Sequence, residues 1–323
     1  MKNRPYTDYT QNGAPPEGVF VELDNRQAGR TLTARRTQSP TAPFPPPDAS
    51  EPDVVDSPVL HDLGGDGTPA LLVHALGLHG RVWQPASTTL GERYRCWALD
   101  LPGHGAAHSP PDGEATWWTL SNTVSRAANS IGSPELVGIG HSIGAAALLL
   151  AESEHPGTFA SLVLYEPPVR IHRALTSDDV RRRRRIEASI RDRVRAFPSM
   201  SEARTDLART GMTSSFSPEA LSAYLSYGFR ARAGGGVEEA CDAEIELSLF
   251  RAEAHTDPTG GLDSVRSSLR LLRGGATDAM HRGMVDELAE RLSIEIEELA
   301  GLTHFGPLED PSALARAVLD GRA

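Results

Sequence analysis

Short apolar runs alternate with longer helical stretches from about residue 58 onward. The runs are four or five residues long and rich in valine and leucine. Runs of this kind, separated by helices, are typical of a mostly parallel sheet with crossover helices on its faces. The pattern therefore predicts an α/β fold, with strands at residues 70–74, 96–100, 136–140, 162–165, 269–273 and 294–297.

The spacing of these strands divides the chain. About a hundred residues separate the fourth predicted strand from the fifth, which is too long for a single crossover connection. We therefore predict a core formed by residues 58–167 and 263–323, interrupted by a helical cap at residues 168–262. Before the core, six prolines fall between residues 40 and 52. This composition predicts a poorly ordered extension over residues 1–57.

Composition narrows the classes of function. The net charge of -11 argues against nucleic-acid binding, which requires a basic surface. The two cysteines, Cys96 and Cys241, provide neither a disulfide framework nor a zinc-binding spacing. Lys2 is the only lysine, and its terminal position disfavours Schiff-base chemistry. We therefore expect no cofactor and no bound metal.

Hydropathy gives an expectation about location. The first residues lack the apolar segment of a signal peptide, and no apolar run reaches membrane-spanning length. We therefore expect a cytoplasmic protein that acts on a small molecule and has no membrane or nucleic-acid partner. The oligomeric state is left open by the sequence.

A strand, a Gly-x-Ser-x-Gly turn and a strong helix former follow one another at residues 136–152. This order is typical of a nucleophile elbow, which exposes a serine hydroxyl above the sheet. Gly140 and Gly144 leave room for the close approach of strand and helix. The N-terminus of the helix favours developing negative charge near the serine. Ser142 is the predicted nucleophile.

A serine nucleophile needs an oxyanion hole, a base and an acid. The backbone N–H groups of Ile143 and Leu76 are the predicted oxyanion donors, because they follow the nucleophile and the first predicted strand of the core. His304, on a loop after the last strand, is the predicted base. Asp278 follows another strand and is the preferred acid. Glu166 follows a third strand and stays open as the alternative acid.

Other histidines are less suited to act as the base. His74 comes too early in the chain, and His104 belongs to a turn after another strand. His141 is fixed beside the serine within the elbow. We predict structural roles for these three side chains.

Four segments carry a resemblance to a known family. They are residues 73–83, 98–105, 140–144 and 302–309, and they resemble the α/β-hydrolase superfamily, in particular small actinobacterial members with a helical cap. The resemblance extends from about residue 58 to the C-terminus. It implies the α/β-hydrolase fold and a Ser-His-Asp triad at the positions named above, but not the substrate.

The chain departs from the family pattern at two places. His74-Ala75 stands where the family usually has His-Gly before the oxyanion residue. Of the two strands that usually begin the sheet, residues 58–63 fit the second, whereas the first is obscured by the proline-rich extension. Ser142 also argues against the dehalogenases and epoxide hydrolases of this superfamily, because those relatives attack with an aspartate.

The sequence favours hydrolysis of a small ester, thioester or lactone through an acyl-enzyme. One alternative is an acyltransferase, lyase or cyclase of specialised biosynthesis that uses the same site, and another is a non-catalytic ligand receptor. The arginine run at residues 181–185 suggests an anion site. The preferred interpretation is a solvated helix, in which Asp178 pairs with Arg182 at the i,i+4 spacing.

Overall fold

The computed structural model describes residues 57–110, 115–171, 176–252 and 258–321, with side chains from 261 onward in the last range. The described residues belong to one compact unit, Asp56–Ala323. The extension predicted over residues 1–57 lies outside the described residues, apart from Ser57. Its lack of order therefore stays a prediction.

The central sheet has seven strands and is parallel except for its first strand. The strands are β1 (Val59–Asp62), β2 (Thr68–Val73), β3 (Tyr94–Asp100), β4 (Val137–His141), β5 (Ser161–Tyr165), β9 (Ser268–Gly274) and β10 (Ile296–Leu299). Their order across the sheet is β1-β3-β2-β4-β5-β9-β10. Only β1 runs antiparallel to its neighbour among these described strands. The α/β fold predicted from the apolar runs is confirmed.

All six predicted strands lie within two residues of the observed ones at either end. The largest displacement is at the last strand, which begins at Ile296 rather than at residue 294. The preceding helix ends in a left-handed cap at Ser293, with φ of 54°. The next residue, Ile294, still donates its N–H to the carbonyl of Ala289. The chain therefore becomes extended two residues later than the apolar pattern suggests.

Helices cover both faces of the sheet. They are α1 (Gln84–Leu90), α2 (Trp117–Ile131), α3 (Ile143–Glu154), α8 (Ala279–Leu292), α9 (Gly306–Glu309) and α10 (Pro311–Asp320). Successive residues of β2 point to opposite faces, as in any strand. Leu71 and Val73 pack with α2, α3 and α8, whereas Ala70 and Leu72 pack with α1 and α10. These two apolar layers hold the carboxyl ends of the parallel strands at one edge, where the candidate site lies.

The described part of the cap contains four helices and a small antiparallel sheet. The helices are α4 (Ser177–Asp192), α5 (Met200–Leu207), α6 (Pro218–Tyr227) and α7 (Ala243–Ala252), and the strands are β6 (Ala196–Phe197), β7 (Phe229–Ala231) and β8 (Val237–Glu239) in the order β6-β8-β7. The sequence predicted only helices here, because strands of two or three residues are too short to produce an alternating pattern. None of the helices in the described part of the chain combines the length and apolar character needed to cross a membrane.

A cluster of four charged residues joins the elements of the cap. Arg193 and Arg195 each form ion pairs with Glu239 and Glu246, at distances of 2.6–3.1 Å. The two glutamates are almost fully buried. Burial of charges is tolerated when each charge is paired and hydrogen-bonded. Two positive and two negative groups cancel, so the cap presents no net charge at this point.

Candidate active site

Ser142 forms the sharp turn between β4 and α3. Its backbone has φ of 54° and ψ of -122°, a conformation that residues other than glycine rarely adopt. The Ser142 N–H donates a hydrogen bond to the carbonyl of Tyr165, 2.9 Å away on the neighbouring strand. The side chain lines a cavity beneath the cap. The geometry is that of a nucleophile elbow.

Two glycines allow the helix to approach the strands this closely. A Cβ atom at Gly140 would lie 2.5 Å from the Cα atom of Ala145. A Cβ atom at Gly144 would overlap the carbonyl oxygen of Val73. The spacing that suggested the elbow in the sequence thus has a steric cause, since larger residues at these positions would separate α3 from the sheet.

His304 lies on the loop between β10 and α9 and faces the serine. Its Nε2 atom is 3.1 Å from Ser142 Oγ, and its Nδ1 atom is 2.7 Å from Glu166 Oε2. The three side chains form a continuous hydrogen-bonded row. Burial, together with the nearby His281, lowers the pKa of His304 to about 4, although Glu166 acts in the opposite direction. The imidazole is therefore neutral near pH 7, as a general base must be.

Glu166 comes directly after β5 and is buried in a strained backbone conformation, with φ of 46°. Its carboxylate also accepts hydrogen bonds from the Gly274 N–H at 2.8 Å and the Thr277 hydroxyl at 2.9 Å. Burial opposes ionisation. The hydrogen bond and charge of His304, with the Gly274 N–H, outweigh it and hold the pKa of Glu166 below its usual value. The group is thus an anion beside the imidazole.

Asp278, the acid preferred from the sequence, contacts a different histidine. Its Oδ2 atom is 2.7 Å from His281 Nδ1 and 2.6 Å from Nη2 of Arg182. Its Oδ1 atom accepts N–H groups at the start of α8, so the carboxylate also caps this helix. His304 Nδ1 donates to Glu166 instead of to Asp278, the acceptor expected from the sequence. Helix α8 begins immediately after Asp278 and holds its carboxylate at the helix N-terminus.

The sequence contains one signal for the contact between Asp278 and His281. Asp278 and His281 are three residues apart, the spacing at which a helix cap can contact a side chain of the first turn.

The place of Glu166 beside the serine follows from the order of the strands. In the sheet, β5 lies between β4 and β9. A carboxylate at the end of β5 is therefore adjacent to the elbow. The expected pairing of Asp178 with Arg182 is likewise replaced, since the structure pairs Arg182 with Asp278 across the site.

The two predicted oxyanion residues both line the cavity next to Ser142. Leu76 follows β2, and Ile143 is the first residue of α3. The loop that carries Leu76 is held by two buried histidines. His104 Nε2 accepts the Gly77 N–H at 3.1 Å, and His74 Nδ1 donates to the Ala75 carbonyl at 2.8 Å. Burial lowers the pKa of both imidazoles, that of His74 to about 3.

The predicted structural roles of the remaining histidines agree with these contacts. His74 Nε2 accepts the Leu101 N–H at 3.0 Å, which joins the loops after β2 and β3. His141 donates from Nε2 to the carbonyl of His304 at 2.7 Å. Neither of these two imidazoles is hydrogen-bonded to the Ser142 hydroxyl among the described contacts. They hold the backbone around Ser142 and His304.

A cavity of about 940 Å³ opens above Ser142, between the core and the cap. Its wall is mostly apolar and comes from both parts; it includes Leu76, Ile143, Ile186, Ile190, Leu249, Phe250, Met280, Met284 and Phe305. The buried charged groups in the wall are paired within the cap cluster, and the partly exposed Arg182 and Asp278 pair with each other. The cavity therefore suits an uncharged apolar group.

One group of side chains has the donor types of a metal site. Glu166, His281 and His304 bring donor atoms within 4.8 Å of one another, and no other such group is found among the described residues. However, Glu166 and His304 are hydrogen-bonded to each other, and His281 Nδ1 is engaged by Asp278. The two imidazole rings are also nearly parallel, at 13°. Their in-plane lone pairs do not converge on one point, so the group is poorly arranged to hold a metal.

The class of protein follows from the fold and the site together. The chain has a serine on a strained elbow, an imidazole that faces it, and a seven-stranded sheet with an inserted cap. The chain belongs to the alpha/beta hydrolase family, whose model matches residues 70–317. Solved structures share the fold. E-2-(acetamidomethylene)succinate hydrolase superposes with a TM-score of 0.69 at 16% identity, covering 81% of this chain and 97% of that one. The thioesterase domain from the curacin biosynthetic pathway has a TM-score of 0.64 at 22% identity, covering 80% and 94%.

Curated relatives match a shorter part of the chain. The pimeloyl-[acyl-carrier protein] methyl ester esterase of Methylococcus capsulatus is 34% identical over 103 residues, which are 32% of this chain and 38% of that protein. Lipase LipV of Mycobacterium tuberculosis is 35% identical over 112 residues, 33% and 41% of the two proteins. The matches thus span about two fifths of these relatives. The particular resemblance to actinobacterial members is not borne out, because relatives also come from Methylococcus and from Xanthomonas campestris.

Proposed function

We propose that this protein is a serine-dependent hydrolase of an ester, thioester or lactone, with Ser142 as nucleophile, His304 as base and Glu166 as acid. The observation that carries the proposal is the continuous hydrogen-bonded row from Ser142 through His304 to Glu166. The printed names of the relatives give support, since they are a methyl ester esterase and a lipase. The triad proposed here is therefore Ser-His-Glu rather than Ser-His-Asp.

The first half of the reaction forms the acyl-enzyme. Ser142 Oγ attacks the substrate carbonyl carbon while His304 Nε2 removes the hydroxyl proton. The N–H groups of Leu76 and Ile143 and the N-terminus of α3 stabilise the oxyanion. Glu166 stabilises the imidazolium through Nδ1. His304 then gives the proton to the departing alcohol or thiol, and the carbonyl re-forms as an ester of Ser142.

The second half returns the enzyme to its starting state. His304 removes a proton from a water molecule, and the resulting hydroxide attacks the acyl carbon. The second tetrahedral oxyanion occupies the same hole. When it collapses, the bond to Ser142 Oγ breaks, and the serine recovers its proton from His304. The products are the carboxylic acid and the free enzyme.

The lining of the cavity favours a substrate whose acyl group is uncharged and apolar. Apolar side chains dominate the wall, and its arginines are paired with carboxylates. Each methylene transferred from water to such a wall contributes about 0.8 kcal/mol. A carboxylate at the substrate end would lose its hydration, and the arginines of the wall, Arg182 and Arg193, are already paired with carboxylates, so its burial is costly. The substrate is therefore proposed to be a small molecule whose acyl chain is longer than acetyl.

A series of p-nitrophenyl esters tests this function. We expect kcat/KM to rise by about 100-fold or more from the acetate to the octanoate, because each added methylene becomes buried. An ester of matched length that ends in a carboxylate should react more slowly. Release of p-nitrophenol is followed by absorbance, with Ser142→Ala as the blank. Failure to hydrolyse any ester would reject the proposal and favour the acyltransferase, lyase or cyclase alternative.

The activity should also depend on pH through His304. The pKa of this imidazole is lowered to about 4, and only its neutral form can accept the serine proton. We therefore expect kcat/KM to be constant near neutrality and to fall roughly tenfold per unit once the pH is below the pKa. Stopped-time assays from pH 3 to pH 9 measure this profile. An acid limb centred near pH 6.5 would contradict the assignment of a desolvated base.

Acid unfolding must be separated from this titration. Burial lowers the pKa of several histidines besides the base, namely His74, His79, His104 and His141. These groups are neutral in the folded protein and protonate more readily when it unfolds. Their contribution to stability is therefore present above the unfolded pKa and is lost as the pH falls. Tryptophan fluorescence recorded at each pH identifies any activity loss caused by unfolding.

A further inference from the structure

A second histidine–carboxylate pair lies against the proposed base. The imidazole of His281 stacks on that of His304, with 3.8 Å between ring centroids and 13° between planes. His281 Nδ1 is held by Asp278 Oδ2 at 2.7 Å. The proposed mechanism uses neither residue. The pair nevertheless covers one flat face of the ring that must move the proton.

An arginine of the cap contacts this pair. Nη2 of Arg182, on α4, lies 2.6 Å from Asp278 Oδ2, the same oxygen that binds His281. The other carboxylate oxygen accepts the N–H of Met280, which fixes the acid at the start of α8. A row of contacts therefore runs from the cap, through Asp278 and His281, to the face of His304. It crosses between two parts of the chain that are 96 residues apart in sequence.

We propose that Asp278 and His281 are positioning residues for His304, and that Arg182 couples the cap to them. This inference rests on the proposed function, because it concerns the base of that reaction. Glu166 holds one edge of the His304 ring, but a hydrogen bond at one atom leaves rotation of the ring plane free. Stacking by His281 restricts that rotation. Arg182 and the helix cap in turn fix Asp278, which orients His281.

The pair also sets the charge around the base. Groups that face His304 come from β5 (Glu166), β4 (His141), α8 (His281 and Asp278) and, through Asp278, α4 (Arg182). His281 lowers the pKa of His304, whereas the carboxylate of Asp278 raises it. Replacement of the imidazole at position 281 removes the first of these influences and leaves the second. The pKa of His304 should therefore rise in such a variant.

Two substitutions at one position separate these effects. His281→Phe keeps an aromatic face on His304 but removes the imidazole and its contact with Asp278. We expect its acid limb in kcat/KM to move upward by roughly half a pH unit or more, with kcat at pH 8 within about threefold of the wild type. His281→Ala should show the same shift and should also lose about tenfold in kcat at every pH, because the ring support is gone.

The coupling to the cap is tested on α4. Arg182→Met should lower kcat/KM about five- to tenfold, and Arg182→Lys should restore most of it because a cation again reaches Asp278. Arg184→Met is the matched control, since Arg184 is an exposed residue of the same helix. Equal activities of the Arg182→Met and Arg184→Met variants would overturn the role of Arg182. Circular dichroism confirms that each variant is folded.

A measurement that needs no substrate tests the inference independently of the proposed function. The pKa of His304 can be followed by NMR titration of its imidazole, with His304→Gln used to assign the signal. The same upward shift in His281→Phe is expected even if no ester is hydrolysed, in which case the function fails and the coupling stands. Wild-type profiles of both activity and NMR titration in His281→Phe and His281→Ala would overturn the inference.

Discussion

Replacement of Ser142 by alanine should lower kcat by about 10⁴- to 10⁶-fold, which is the largest effect that we expect from any single substitution. The variant lacks the only atom that forms the acyl bond in the proposed mechanism. Its fold should be retained, because alanine fits the space of serine and the strained backbone at φ of 54° is held by β4 and α3. Steady-state hydrolysis of the preferred p-nitrophenyl ester measures the loss.

Covalent labelling gives a second measure of the same assignment. A fluorophosphonate should add one adduct to the wild type, detected by intact mass and located by peptide mapping at Ser142. Ser189→Ala is the matched control, since Ser189 also lines the cavity but has no imidazole partner among its described contacts. It should label at the wild-type rate. Undiminished turnover or labelling in Ser142→Ala would refute the nucleophile.

The second large effect is expected at Glu166. Glu166→Gln should lower kcat by about 10³- to 10⁴-fold, because the amide no longer stabilises the imidazolium and favours the wrong tautomer of His304. The same change at the other carboxylate, Asp278→Asn, should cost about tenfold or less, as expected for a group that acts through His281. Each pair of side chains has nearly the same size, so the comparison isolates charge and hydrogen bonding.

The ranking of these two variants decides which carboxylate is the acid. Both are measured on the same ester at pH 8, where the base is neutral. Thermal melts accompany the assay, since Asp278 also caps α8 and loss of a cap costs about 1 kcal/mol. A larger loss of kcat in Asp278→Asn than in Glu166→Gln would return the role to Asp278, the acid preferred from the sequence.

The sequence alone does not distinguish Glu166 from Asp278 as the acid, because both carboxylates lie at the same edge of the sheet. Glu166 directly follows β5 and Asp278 follows β9, and these strands are direct neighbours. A carboxylate at either place is within side-chain reach of a histidine after β10. In the structure, Glu166 is hydrogen-bonded to His304. Asp278 instead accepts hydrogen bonds from the N-terminus of α8, from His281 and from Arg182.

The sequence by itself determined the local parts of this protein. Apolar runs located the strands because burial on both faces requires continuous apolar residues. The glycines around Ser142 located the elbow because their spacing is a steric requirement of the strand–helix turn. The sequence also pointed to His304 as a partner of Ser142, and the structure places its Nε2 atom 3.1 Å from Ser142 Oγ.

Only the tertiary structure decided which carboxylate touches the base and what surrounds it. The choice between Glu166 and Asp278, the stacking of His281 on His304 and the reach of Arg182 from the cap all depend on contacts between distant segments. Such contacts are set by the order of strands in the sheet and by the position of the cap. The strand order and the position of the cap leave no periodic pattern in the sequence. The side chains that meet at the sheet edge are close in space but far apart along the chain.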